Sequence, residues 1–189
     1  WMEIQNAINA AKNVGNEKII LLQCTSLYPA PVNLTNLRAM SSMQSAFNTL
    51  VGYSDHTMGD HISLAAVAMG ACVIEKHFTL DRTMSGPDHP FAMEADEFKD
   101  MMKKIRDIEL ATGNGMKNGP RPEEEEMAEK GRRSMHAAIS ISAGQTITSD
   151  MLKVKRPGLG VPPFLREQII GRIAKRDIEA DEWITWDMV

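Results

Sequence analysis

The sequence predicts an α/β fold with parallel strands, followed by a small, mostly β domain. Three observations carry this expectation. Apolar runs of strand length alternate with helical patterns three times within residues 1–113. The composition then shifts abruptly at 114–132, where Gly, Pro and four consecutive Glu gather. From residue 133 onward the pattern becomes short strands and turns.

Taken in order, residues 2–14 place Ile4, Ala7, Ile8, Ala11 and Val14 on one helical face, with Gly15 as a stop. Lys18 to Cys24 form a continuous apolar run, the pattern of a strand buried on both faces. Pro29, Pro31 and Asn33 break it, and LTNLRAMSSMQSAF returns to helical spacing. The second unit is TLVGYSDH, a turn at Gly59, and the short helix HISLAAVAMG. The third is ACVIEKHFTL, a long loop, and the amphipathic helix EADEFKDMMKKIRDIELATG. Glu94, Asp96 and Glu97 suit the N-terminus of that helix, and Gly113 and Gly115 end it.

The glutamate run reads as a solvated face leading into a short helix. Beyond it SMHAAISISAGQTIT and KVKRPGLGVPP suggest short strands, LREQIIGRIA a helical turn, and RDIEADEWITWDMV a strand pair turning at Glu179-Ala-Asp. Three parallel units are too few to close a barrel, and an open sheet of three strands would expose its edges. The expectation is therefore that this chain is the C-terminal part of a longer protein.

Composition narrows the function classes. Hydrophobic residues make up 43% and charged residues 24% of the 189, with a net charge of −4. That balance gives no reason to expect nucleic acid, which needs a basic face, and no apolar run reaches membrane-spanning length. The fourteen methionines read as core filler. Cys24 and Cys72 lie in apolar runs and read as buried thiols of a reducing compartment, which places the protein in the cytoplasm. GNGMKNG fits neither a dinucleotide fingerprint nor a Walker loop.

In each unit the polar residues follow the apolar run, at the strand end where parallel α/β folds carry their sites. His56 closes SDH, and His77 closes EKH twenty-one positions later. Neighbouring strands run about 4.8 Å apart, and a metal–imidazole bond is about 2.1 Å. Two histidines at equivalent strand ends can therefore share one divalent ion, leaving other positions for water or substrate oxygens. Two ordinary polar strand ends account for the same residues, and spacing alone does not choose. Asp88, bracketed by Pro87 and Pro90, either caps a turn or holds a hydroxyl and shuttles a proton. Ser26, Tyr28 and Ser54 are hydroxyls at strand ends, suited to phosphate or sugar, but taken alone each reads equally as an ordinary loop residue. His61 and His136 read as structural, and His89 is left open.

QCTSLYPAP, GYSDHT, VIEKHFTLDR, GPDH and KRPGLG together resemble the N-acetylneuraminate (sialic acid) synthase family, over nearly the whole chain. The resemblance implies a TIM (β/α)8 barrel followed by an antifreeze-like (SAF) domain. Residues 1–113 would be the last three βα units, 114–132 a linker and 133–189 the SAF domain. It implies condensation of phosphoenolpyruvate with an N-acetylated hexose such as N-acetylmannosamine, giving a nonulosonic acid and phosphate. His56 and His77 would hold the metal; imidazole and oxygen ligands suit manganese, with magnesium or cobalt as alternatives. Ser26 and Ser54 match positions near the phosphate, Tyr28 and Asp88 positions at the sugar, and Glu75 an acid in a supporting or proton-transfer role. Arg156 matches an arginine lent to the partner subunit in a domain-swapped homodimer.

The N-terminal barrel residues of that family have no counterpart, so the chain alone is expected to be inactive. The rival readings are a legionaminate-type synthase with a different acceptor, a non-catalytic carbohydrate-binding or assembly module, and a metal-dependent aldolase of another barrel family.

Overall fold

The apolar runs of the first half pair side by side into one parallel sheet. In the computed structural model, which describes residues 1–189, the chain divides into two units, Trp1–Met116 and Lys117–Val189. The first contains α1 (Met2–Asn13), β1 (Ile20–Cys24), α2 (Arg38–Phe47), β2 (Leu50–Asp55), α3 (His61–Ala68), β3 (Ile74–Lys76) and α4 (Ala95–Thr112). The strand order is β1-β2-β3, and both pairings are parallel.

Within this three-stranded sheet, only the central strand β2 is buried along most of its length. Residues of β2 that face the helices, Val51 and Tyr53, pack with Met40 and Met43 of α2 and Ile62 and Ala66 of α3. A second cluster joins Met93 to Met101 and Ile105 of α4, against Leu64 and Val67 of α3. The methionines divide: these are core, whereas Met2, Met116 and Met127 are exposed rather than filling it. Glu97 opens α4 by accepting a hydrogen bond from the Glu94 N–H at 3.0 Å, and it ion-pairs with Arg82.

Several expectations are corrected. The Lys18–Cys24 run is not buried on both faces, because β1 is an edge strand and Ile20 stays 44% exposed. Cys24 and Cys72 are exposed free thiols rather than buried ones. An apolar run ensures burial only where neighbours cover it; Cys24 ends the edge strand and Cys72 lies between α3 and β3. The third strand is short, with Ala71–Val73 left outside it. On α1 only Ile8 is buried, and Val14 is exposed. His61 sits exposed at the start of α3.

The second unit contains α5 (Glu125–Gly131), β4 (Ser134–Ala137) and β5 (Leu152–Lys155), the two strands antiparallel. Its core gathers Met135, Ile141, Ile147, Ile169, Ile178 and Ile184. The last segment does not form a strand pair with itself. Ile178 instead bridges Ile141, and Trp183 bridges His136, because single backbone bridges let short segments from across the unit share one core. His136 is buried and donates from Nδ1 to the Asp181 carbonyl at 2.9 Å.

No helix is long and apolar enough to cross a membrane.

Candidate active site

The SDH and EKH motifs meet residue by residue. The β2–β3 register sets Tyr53 opposite Ile74, Ser54 opposite Glu75 and Asp55 opposite Lys76. One step further along both chains come His56 and His77, whose ring centroids lie 5.2 Å apart at an interplanar angle of 70°. The twenty-one-residue spacing seen in the sequence is thus the register offset of the two strands. Because side chains alternate along a strand, Ser54, Glu75 and the two histidines share one face, and Asp55 and Lys76 the other.

His56 is buried, and its Nδ1 lies 2.8 Å from the Thr25 carbonyl oxygen. A carbonyl can only accept, so Nδ1 carries the proton and the Nε2 lone pair is the one available to a ligand. Cys24 Sγ approaches the same Nδ1 at 3.8 Å. The Tyr28 ring lies against His56 at 4.2 Å between centroids and meets His77 edge-on at 5.5 Å. Phe91 closes the cluster, 5.1 Å from the His77 ring. His77 Nδ1 faces Asp88 Oδ2 at 3.7 Å.

Two imidazoles so close, one with its tautomer fixed by a carbonyl, suit a single divalent ion with bonds of about 2.1 Å. No group of three or more His, Cys, Asp or Glu side chains surrounds a common point. Two histidines would supply only part of an ion's coordination shell, the rest falling to water or substrate.

On the same face, Ser54 Oγ donates to Glu75 Oε1 at 2.7 Å. Ser54 is buried and Glu75 exposed, so the hydroxyl fixes one carboxylate oxygen and leaves the other open. Ser26 and Tyr28 lie exposed in the loop after β1, and Asp88 is exposed on its loop. His89 is tied down, with Nδ1 2.7 Å from Thr79 Oγ1. Arg156 belongs to the second unit, exposed immediately after β5. Of the candidates, then, Tyr28, Ser54, His56, Glu75, His77 and Asp88 gather around the ends of β2 and β3.

Sequence reading missed the opposite face. Asp55 is 1% exposed, and its Oδ2 accepts from Lys76 Nζ at 3.0 Å and from Ser63 Oγ of α3 at 2.6 Å. Its Oδ1 accepts from the Thr57 N–H at 2.8 Å, and Lys76 Nζ also donates to the Thr57 carbonyl at 2.7 Å. Tyr53 is fully buried on that face; burial first, and the charge of Asp55 second, push its phenol well above the ordinary range. The signal was present, since Asp55 and Lys76 stand at the same offset as the histidines, with opposite charge.

A profile of the NeuB family matches residues 1–117, and one of the SAF domain matches residues 132–189. The chain is 46% identical to the N,N'-diacetyllegionaminic acid synthase of Campylobacter jejuni, over 96% of this chain and 55% of that one. It is 39% identical to the N-acetylneuraminate-9-phosphate synthase of Mus musculus, over 92% of this chain and 49% of that one. Among solved structures, the N-acetylneuraminic acid synthetase of Leptospira borgpetersenii aligns at 38% identity with a TM-score of 0.59, covering 68% of this chain and 44% of that one. The chain spans about half the length of the curated relatives it matches.

Proposed function

The chain belongs to the NeuB family and carries a SAF domain behind its NeuB segment, and from this we propose that it forms the metal-holding rim of a nonulosonic acid synthase. The reaction joins phosphoenolpyruvate to an N-acetylated hexose and releases phosphate. In this reading the first unit is the three-βα-unit segment of a (β/α)8 barrel. The observation that carries the proposal is the His56–His77 pair, side by side at matched strand ends with His56 Nδ1 committed to Thr25.

His56 and His77 would hold a divalent ion; imidazole and oxygen donors suit manganese, with magnesium and cobalt as alternatives. When bound, such an ion supplies Lewis acidity toward the oxygen of the open-chain sugar aldehyde. C3 of phosphoenolpyruvate bonds to the aldehyde carbon, positive charge develops at C2, water adds there, and phosphate leaves with cleavage of its C2–O bond. Glu75, with one carboxylate oxygen held by Ser54, is the base that takes a proton from the adding water. Ser54 and Ser26 bind near the phosphate. Tyr28 lays its ring over His56 and offers its hydroxyl to the sugar, and Asp88 holds a sugar hydroxyl and passes its proton. Arg156 reaches the sugar's amide carbonyl from the partner subunit of a swapped homodimer, where a planar fork of donors suits that oxygen.

Legionaminic acid synthases at 46% and 37% identity bracket an N-acetylneuraminate-9-phosphate synthase at 39%, so the acceptor is read as N-acetylmannosamine or a related N-acetylated hexose, with a legionaminate-type acceptor as the second reading. The test is phosphate release by the protein expressed from its complete reading frame, with phosphoenolpyruvate and a panel of acceptors. The panel holds N-acetylmannosamine, its 6-phosphate and diacetamido hexoses. The expected result is acceptor-dependent release, lost on chelation, restored by Mn2+ and absent in His56→Ala. Release that His56→Ala leaves unchanged would overturn the proposal.

A further inference from the structure

Asp55 and Lys76 immediately precede the two histidines, and the proposed chemistry uses neither. Their side chains are 0% and 4% exposed. Removing two charges from water carries a large desolvation penalty, and an apolar pair of the same volume is often as stable or more so. Stability alone is therefore a poor account of an ion pair at this position. What an apolar pair lacks is directed bonding. Lys76 Nζ bonds to the carboxylate of the residue before His56 and to the carbonyl of the residue after it, at 3.0 and 2.7 Å. The Asp55 carboxylate closes the turn around His56 through the Thr57 N–H, and Ser63 ties that carboxylate to α3. The lysine that grips both flanks of His56 is itself the neighbour of His77.

We propose that Asp55 and Lys76 are positioning residues, a cross-strand clip that fixes the separation and orientation of the His56 and His77 imidazoles for metal binding. The proposal rests on the reading of these histidines as metal ligands. Groups that orient ligands without touching the ion typically govern affinity by about ten- to a hundredfold.

The test uses the protein from its complete reading frame, carrying Asp55→Asn together with Lys76→Met. The asparagine keeps an acceptor for the Thr57 N–H and can donate to Ser63, and the methionine fills the volume of the lysine stem. Only the charged cross-strand grip is removed. Mn2+ affinity is measured by calorimetry, the visible spectrum of bound Co2+ reports ligand geometry, and thermal melting reports the fold. The expected result is a melting temperature near that of the parent, with Mn2+ bound about ten- to a hundredfold more weakly and an altered Co2+ spectrum. Parent-like Mn2+ affinity in the double variant, with loss in His56→Ala, overturns the clip and leaves the metal site standing. Parent-like affinity in both overturns the metal reading and the clip together. If the double variant melts without cooperativity, Lys76→Arg replaces it with the same outcomes, since it keeps the charge but offsets the grip.

Discussion

Ser54 Oγ donates to Glu75 Oε1 at 2.7 Å across the β2–β3 pairing, joining a buried hydroxyl to an exposed carboxylate. A hydrogen bond to a charged acceptor contributes roughly 1.5–3 kcal/mol, and a buried donor left without a partner costs about as much. Glu75→Gln keeps an acceptor oxygen and should unfold in urea close to the parent. Glu75→Ala should lose about 1–2 kcal/mol, and the Ser54→Ala, Glu75→Ala double variant should lose clearly less than the two single losses together. Strict additivity would mean that the two groups do not act as a pair. Activity separates the roles further: if Glu75 moves a proton, Glu75→Gln retains the fold and loses turnover.

Tyr28 offers a ring and a hydroxyl, and the two can be tested apart. Its ring lies 4.2 Å from His56, whereas the residue is 53% exposed at the rim. Tyr28→Phe preserves the ring contact and should raise the KM for the sugar while leaving Mn2+ affinity and melting unchanged. Tyr28→Ala should raise the same KM and also weaken Mn2+ binding, because His56 loses the surface that restrains it. Equal KM values for parent and Tyr28→Phe would remove the hydroxyl from acceptor binding.

The parallel order of strands and the placing of polar residues at strand ends were legible because they follow from alternating local patterns. The spacing of His56 and His77 also carried information, since in a parallel pair a constant sequence offset is the register itself. What local pattern could not reveal was cover. The same apolar run reads identically whether a strand is central, like β2, or at an edge, like β1, so the thiols of Cys24 and Cys72 were misplaced inside. Nor could the sequence show that Thr25 fixes the His56 tautomer, because that contact uses a backbone carbonyl thirty-one residues away and no side-chain signature. In the second unit, single bridges such as Ile141–Ile178 replace ladders and leave no alternation to read.

Asp181 gives a prediction in pH. Hydrogen bonds from Lys153 first and Lys155 second lower its carboxyl from the ordinary 3.8 to about 2. A carboxyl depressed in the folded state contributes stability that is fully present above its unfolded value and disappears as pH falls through its folded one. The contribution should therefore fade only between about pH 4 and pH 2. Carboxyl NMR should give an Asp181 midpoint near 2, moving up toward the ordinary value in Lys153→Gln. The pair is exposed, so its effect on stability should be small and should shrink with salt. An unmoved midpoint in that variant would detach the lysine from the shift.

Gly160, in the GLG of the second unit, sits where three backbone segments converge. Met135 N–H donates to the Val161 carbonyl, Val161 N–H to the Ile184 carbonyl, and Ile184 N–H to the Met135 carbonyl, at 2.7–2.8 Å. A Cβ at Gly160 would lie 2.7 Å from the Ile184 oxygen and 3.1 Å from both the Ile184 nitrogen and the Met135 oxygen. Each of those atoms is backbone held in this junction, so none can swing aside as a flexible side chain would. Gly160→Ala should therefore destabilise the second unit by about 1–3 kcal/mol, the usual range for overpacking. Gly131→Ala is the control, because its added Cβ meets nothing within 4 Å at the end of α5. It should melt at or slightly above the parent temperature, since alanine is the better helix former. Equal melting of the two variants would mean that the junction yields, and that close approach is not what requires glycine at position 160.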